Sequence, residues 1–139
     1  MEPYLRKVQY YETDRMGVMH HSNYIRWMEE ARVNFMDRIG FPYVKMEEEG
    51  VMSPVRALSC EYKRPARFGE TLAVQVAVES FNGLRMVIRY EMRNEEGTVV
   101  FTARSEHAFI DKDGRIVRVK RVLPEFCSAI EAVTEEKKK

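Results

Sequence analysis

Residues 22–39 read SNYIRWMEEARVNFMDRI, and their spacing decides the fold. Tyr24, Trp27, Met28, Ala31, Phe35 and Ile39 recur at the three- and four-residue intervals that line up along one stripe of an α-helix, with Arg26, Glu30, Val33 and Asp37 opposite. Only Val33 breaks the polar side. Ser22 or Asn23 supplies the short polar side chain of an N-cap, and Gly40 followed by Pro42 gives a stop signal. A helix with one apolar stripe has to bury it, so the rest of the chain must provide the covering surface.

That surface reads as sheet. Upstream, residues 5–12 alternate, with Val8, Tyr10 and Glu12 on one face of a strand. Downstream, a short helical piece over 43–49 ends at Gly50, and β periodicity then runs for about 65 residues. Asn82-Gly83, Glu96-Gly97 and Asp113-Gly114 punctuate it as turns, because glycine supplies the positive φ that a tight hairpin needs. Between them Leu72, Val74, Val76 and Val78, then Met86, Ile88 and Tyr90, then Phe101, Ala103, Ser105, His107 and Phe109 alternate as strands. The simplest arrangement is one antiparallel meander. Pro124–Val133 is weakly helical. The expected class is α+β, with a curved antiparallel sheet around the long central helix, as a single domain over 1–133 and a charged, frayed tail over 134–139. A sheet of this kind leaves edge strands that pairing between subunits would cover, so a homodimer or larger homo-oligomer is expected.

Composition narrows the function classes. The chain has 139 residues, enough for one real core, and a net charge of only +1 with 45% apolar residues, which argues against disorder and against broad attraction to nucleic acid. Cys60 and Cys127 are far apart with no CxxC spacing, as expected of reduced thiols in the cytoplasm. No stretch approaches the roughly 18–20 apolar residues that span a bilayer, and the N-terminus has no apolar leader segment.

The reactive residue types gather in Tyr10-Tyr11-Glu12-Thr13-Asp14-Arg15-Met16-Gly17-Val18-Met19-His20-His21-Ser22, between the first strand and the helix. Unpaired amides at a helix start, with a dipole end worth about half an elementary charge, suit an anion or a developing oxyanion. Asp14 can serve there as general base, as nucleophile, or simply as a turn or capping carboxylate. His21 can hydrogen-bond substrate or orient Asp14, His20 points elsewhere on the turn, and Tyr10 can position Asp14 or the substrate, or is a plain half-buried strand tyrosine. His20 and His21 are adjacent with no HExxH, so no metal site is expected. His107, mid-strand among apolar neighbours, reads as a satisfied core or interface residue. No GxSxG occurs and neither cysteine has a basic partner nearby in sequence, so the chemistry rests on a carboxylate. Lys63, Arg64 and Arg67 crowd a proline-kinked loop, YKRPARFGE over 62–70, which suits phosphate groups or is a solvated basic turn.

These motifs resemble those of the hot-dog-fold thioesterases of the 4-hydroxybenzoyl-CoA thioesterase type, especially their bacterial acyl-CoA thioesterase branch, over roughly residues 3–130. The match is a Tyr at 10, an Asp at 14, a Gly at 17, a His at 21 and the Glu-Ala-Arg of the helix at 30–32. The resemblance implies a hot-dog fold, hydrolysis of acyl-CoA to acid and coenzyme A, and Asp14 as catalytic carboxylate with Tyr10 and His21 in support. It places Gly17 and Ser22 against the substrate, with the helix-start amide near His21 polarising the thioester carbonyl, and Arg64 and Arg67 at the coenzyme A phosphates. It implies no cofactor besides the coenzyme A of the substrate, and a dimer or tetramer. Glu12 stands where many relatives carry Asp or Ser. The alternatives left open are a hydratase or dehydratase of acyl thioesters and a non-catalytic acyl-thioester binder.

Overall fold

The computed structural model describes residues 1–135. Helix α1 spans His21–Arg38 and buries Tyr24, Trp27, Met28, Ala31, Phe35 and Met36, the stripe expected from its spacing with Met36 added and Ile39 removed, since the helix stops one residue short of Ile39 and leaves it half-buried; Val33 is exposed. It ends in a Schellman closure. Gly40, at φ 89°, donates its N–H to the Asp37 carbonyl at 3.1 Å, and the Phe41 N–H reaches back to Met36 at 3.0 Å. A side chain at Gly40 would have to adopt the left-handed conformation that L-residues avoid.

Five strands form one sheet in the order β1-β3-β4-β5-β2: β1 Tyr4–Lys7, β2 Val55–Tyr62, β3 Thr71–Phe81, β4 Arg85–Arg93 and β5 Val99–Ala108. Helix α2 spans Tyr43–Glu48, α3 Val119–Val122 and α4 Pro124–Val133, the last starting with the proline that suits a first helical turn. Three sequence expectations change here. The meander holds for β3, β4 and β5 only, since β2 lies beside β5. The turn at Asp113-Gly114 forms, closed by Asp111 Oδ1 accepting from the Asp113 and Arg115 amides, but it joins an isolated bridge between Ile110 and Ile116 and no strand pair. The first strand stops at Lys7, because Tyr10–Glu12 coil into a 3-10 turn in which the Glu12 carboxylate accepts from the Gln9 N–H at 2.9 Å. Val8 and Glu12 are therefore buried and Tyr10 is 78% exposed, which separates three residues expected on one strand face.

The described chain divides into two compact units. The first, Met1–Asn34, Cys60–Val76 and Tyr90–Ala103, contains the pairing of β1 with β3, in register from Tyr4 opposite Val74 to Lys7 opposite Thr71. Its core holds Trp27, Met28, Leu72, Val74, Tyr90 and Met92, with Tyr24 stacked on Phe101 at 4.9 Å. Each such fully buried side chain contributes about 1.5–3 kcal/mol. The second unit, Phe35–Ser59, Ala77–Arg89 and the chain from Arg104 onward, is centred on edge-to-face contacts of Phe126 with Phe41, Phe81 and Phe109 at 5.7–6.1 Å. His107 is buried in this unit and satisfied, its Nε2 2.8 Å from Ser105 Oγ, as expected for a core histidine. Thr134, expected in the frayed tail, is instead buried and bridges Val78, and Glu135 pairs with Arg89 at 2.6 Å; a hydroxyl bond from Thr134 to the Ile130 carbonyl draws the chain in. Residues 136–139 of that tail lie outside the described residues. Cys60 and Cys127 are free thiols. Among the described residues no helix is long and apolar enough to cross a membrane.

Candidate active site

All the site residues expected from sequence fall in the first unit. Thr13–Met19 forms a tight loop closed by a bridge between Thr13 and Met19, with the Asp14 N–H donating to Val18 at 2.9 Å and the Gly17 N–H to Asp14 at 3.0 Å. Gly17 turns the chain at φ 79° in open space, so what it supplies is the turn itself. Asp14 is half-buried. Its Oδ1 accepts from the Met16 N–H at 2.8 Å, which sets the side chain, and no hydrogen bond engages Oδ2 among the described residues.

The loop returns to α1 through two anchors. The His20 N–H donates to the Glu12 carbonyl at 2.8 Å, and the Asn23 side-chain amide donates to the same oxygen at 2.9 Å. The capping residue is His20, in place of the expected Ser22 or Asn23. Its Nδ1 accepts from the Ser22 N–H at 3.2 Å and lies 2.8 Å from Ser22 Oγ, so the ring does the work of an oxygen cap. Ser22 thus turns its hydroxyl to His20, and the Asn23 N–H is taken by the His20 carbonyl at 3.0 Å. The amide of His21 has no acceptor among the described residues. The open donor of the first turn is therefore at His21, with the positive end of an 18-residue helix behind it.

The basic loop lies against the same segment. Val18 bridges Arg67, and the Met19 N–H donates to the Ala66 carbonyl at 2.7 Å. Arg64 and Arg67 are exposed and use their backbone amides, toward Val100 and the Glu70 carboxylate; no acid engages either guanidinium among the described residues. Lys63 sits 3.8 Å from Glu61. Tyr10 meets Phe68 edge-on at 5.8 Å; both rings are exposed, as is Met16 within the loop. Tyr10, Asp14 and His21 share this neighbourhood without hydrogen bonds joining them among the described residues. His21 stacks beside His20, 4.1 Å between ring centroids, and stands edge-on to Tyr62. No three His, Cys, Asp or Glu side chains among the described residues cluster so as to hold a metal ion.

Two participants escaped the sequence reading. Tyr62 donates its hydroxyl to the His21 carbonyl at 3.0 Å and packs edge-on against Tyr24 and Phe101, which ties β2 to the helix start. Burial first, and then the Cys60 thiol, push its phenol up from 10.0 to about 12. The raised value means the neutral phenol is favoured in the fold: its contribution is complete below pH 10 and is lost as pH rises toward 12. Ring-carbon NMR of tyrosine, assigned with Tyr62→Phe, should show this resonance titrating near pH 12, and a midpoint at 10 would contradict the contact. The second is Glu12, only 3% exposed, whose Oε2 accepts from the Trp27 indole at 2.8 Å and whose two oxygens face Arg6 at 3.1 and 3.3 Å. The Gln9-x-x-Glu12 spacing, a reciprocal capping pattern, was the available signal for that turn.

The family model described as Thioesterase-like superfamily matches residues 8–130. The chain is 36% identical over 126 residues to a Bacillus subtilis (strain 168) protein provisionally named acyl-CoA thioesterase YneP, covering 90% of this chain and 91% of that one. It is 31% identical over 94 residues to the acyl-CoA thioester hydrolase YbgC of Escherichia coli O157:H7, 68% of this chain and 70% of that protein. The solved structure of DHNA-CoA thioesterase from Staphylococcus aureus superposes with a TM-score of 0.88 at 36% identity, over 92% of this chain and 87% of that one. The carboxylate loop, the helix start and the five-stranded antiparallel sheet are thus parts of a hot-dog fold, and the chain belongs to the thioesterase-like superfamily.

Proposed function

We propose that this protein hydrolyses acyl-CoA to a carboxylic acid and coenzyme A, the activity for which its relatives YneP and YbgC are named. Asp14 activates water or attacks the thioester carbonyl, and the open amide of His21 receives the oxygen as its charge grows. The observation that carries this reading is the loop itself. Asp14 is aimed by the Met16 amide on a segment tied at the Glu12 carbonyl to the helix start, so carboxylate and open amide belong to one frame. Tyr10 and His21 line the approach, Gly17 makes the turn that presents Asp14, and Ser22 supports the helix start through His20. Hydration of an enoyl thioester would use an acid and a histidine acting together, and no hydrogen bond pairs Asp14 with His21 among the described residues.

Arg64 and Arg67 take the phosphates of coenzyme A. Their exposed guanidiniums, unengaged by acids among the described residues, support that role. Arg64→Ala or Arg67→Ala should raise KM for acyl-CoA several-fold, about what a solvent-exposed charge contact of roughly 1 kcal/mol contributes, while KM for a truncated acyl thioester lacking the nucleotide stays unchanged. Equal effects on both substrates would remove the phosphate role. No further cofactor is called for.

The chain acts as a homodimer or homotetramer in this proposal. Strand β2 is an edge strand, and its exposed Val55 and Leu58 are apolar groups that a second subunit would cover. Residues 1–133 are taken as one hot-dog domain on the extent of the family match, and a cytoplasmic setting on the two free thiols. Thiol release measured across short, medium, long and aromatic acyl-CoA substrates tests the activity. Turnover of at least one of them is expected, and binding without thiol release throughout would turn the reading to an acyl-thioester binder.

A further inference from the structure

We propose that Glu12 is a positioning residue for the hydrolysis, the buried carboxylate that holds Asp14 and the His21 amide in register; this rests on the assignment of Asp14 above. A carboxylate that is 3% exposed persists as a charge only when its lone pairs are filled. Glu12 meets that demand with donors from three directions. Oε1 accepts from the Gln9 N–H at 2.9 Å and from Arg6 at 3.1 Å, and Oε2 from the Trp27 indole at 2.8 Å and from Arg6 at 3.3 Å. Its main-chain oxygen meanwhile accepts from the His20 N–H and the Asn23 side chain.

The sequence positions give this network its meaning. Glu12 precedes the Asp14 loop by one residue, and His20 follows it by one, so both ends of the loop converge on a single residue. Trp27 lies two turns along α1, and Arg6 continues from Glu12 to Glu30 at 3.0 Å, with the Tyr4 hydroxyl on the same Glu30 oxygen at 2.9 Å. Arg6 also lies over the Trp27 ring, 4.9 Å from its centroid. Strand β1, the 3-10 turn and α1 are thereby locked in one orientation. Packed apolar side chains of similar volume would hold the core together as well as a buried ion pair does; directed hydrogen bonds in addition fix geometry. Misplacing a reacting group by about 1 Å costs of order 10²-fold in rate.

The test measures kcat and KM for thiol release from acyl-CoA in Glu12→Gln and Trp27→Phe, with folding followed by circular dichroism. The first keeps the shape and removes the charge; the second removes the indole donor together with part of a buried ring, so its melting temperature is measured beside its rate, and it serves alone if the first does not fold. Each is expected to lower kcat about 10-fold or more while KM stays within about 2-fold, as a lost alignment does and a lost substrate contact does not. Single-turnover rates at high enzyme concentration, repeated with Asp14→Asn, should show that Glu12→Gln adds nothing once Asp14 is gone, the non-additivity expected of residues acting as a unit. Folded variants with unchanged kcat, or a full additional loss in the Asp14→Asn background, overturn the positioning role alone. An undiminished rate in Asp14→Asn by itself overturns the assignment of Asp14 and this inference with it.

Discussion

Asp14→Asn should lower kcat by about 10²–10⁴-fold, the usual contribution of a positioned base, with KM and melting temperature close to those of the parent. The substitution preserves the shape of the side chain, and the amide oxygen still accepts from the Met16 N–H, so the turn that aims the group survives. What disappears is the charge that takes a proton from water or attacks the carbonyl. The His21 amide remains open at the helix start, which is why a residual rate above the uncatalysed one is expected, as in sites that lose their base and keep their oxyanion donors. Thiol release under saturating acyl-CoA measures the loss. A folded variant within about 3-fold of the parent rate would place the chemistry elsewhere.

The largest effect on stability is expected from Arg6→Ala. Glu12 would keep its bonds from the Gln9 amide and the Trp27 indole but lose the only cation facing it among the described residues, and breaking a buried pair from one side typically costs about 3–5 kcal/mol. For a domain of this size that corresponds to a fall in melting temperature on the order of 10 °C. Burial works against the Arg6 charge, but Glu30 and then Glu12 outweigh it and hold the guanidinium above its ordinary value. Its contribution is therefore fully present throughout the working pH range and would be lost only at extreme alkalinity. Arg6→Lys should recover part of the loss, because an ammonium supplies charge without the fork that reaches both oxygens of Glu12. Thermal melts of the two variants at neutral pH measure this. Equal stability of Arg6→Ala and the parent would show that the network is solvated in solution.

The long helix was legible because a single stripe of large apolar residues from Tyr24 to Phe35 has one geometric solution, and Gly40 met the requirement of its terminus without ambiguity. The three strands β3, β4 and β5 were equally plain, joined by short glycine turns whose geometry is local. The place of β2 beside β5 was not, since that pairing depends on contacts distant in sequence and on nothing in its own composition. Val8, Tyr10 and Glu12 misled for a physical reason. A period of two describes a strand, but Glu12 sits three residues beyond Gln9, and the bond between them is better satisfied by a turn. That turn is also what points Tyr10 outward and carries Glu12 inward.

The candidate site was legible as a segment and not as a geometry. Asp14, Gly17 and His21 stand out by residue type and spacing, and the loop holds the Asp14 side chain through the Met16 amide. The cap falls on His20, two residues before the amide its ring accepts from, where the short polar side chains of Ser22 and Asn23 are the pattern a sequence offers; the His20 ring nitrogen does for the Ser22 amide what a serine oxygen would. Glu12 is legible only as one member of an alternating strand face, and its burial is not. Its burial depends on Arg6 and Trp27 arriving from separate elements, which no local pattern encodes.

The central claim is that Asp14 and the open amide of His21 face the two sides of one thioester carbonyl. The most direct measurement is a crystal structure with a ketone analogue of acyl-CoA, in which a methylene replaces the sulfur and the carbonyl remains. The carbonyl oxygen should lie about 2.7–3.1 Å from the His21 nitrogen, with the Asp14 carboxylate facing the carbonyl carbon directly or across one water. A carbonyl seated away from the first turn of α1, or an Asp14 side chain directed away from it, would contradict the account.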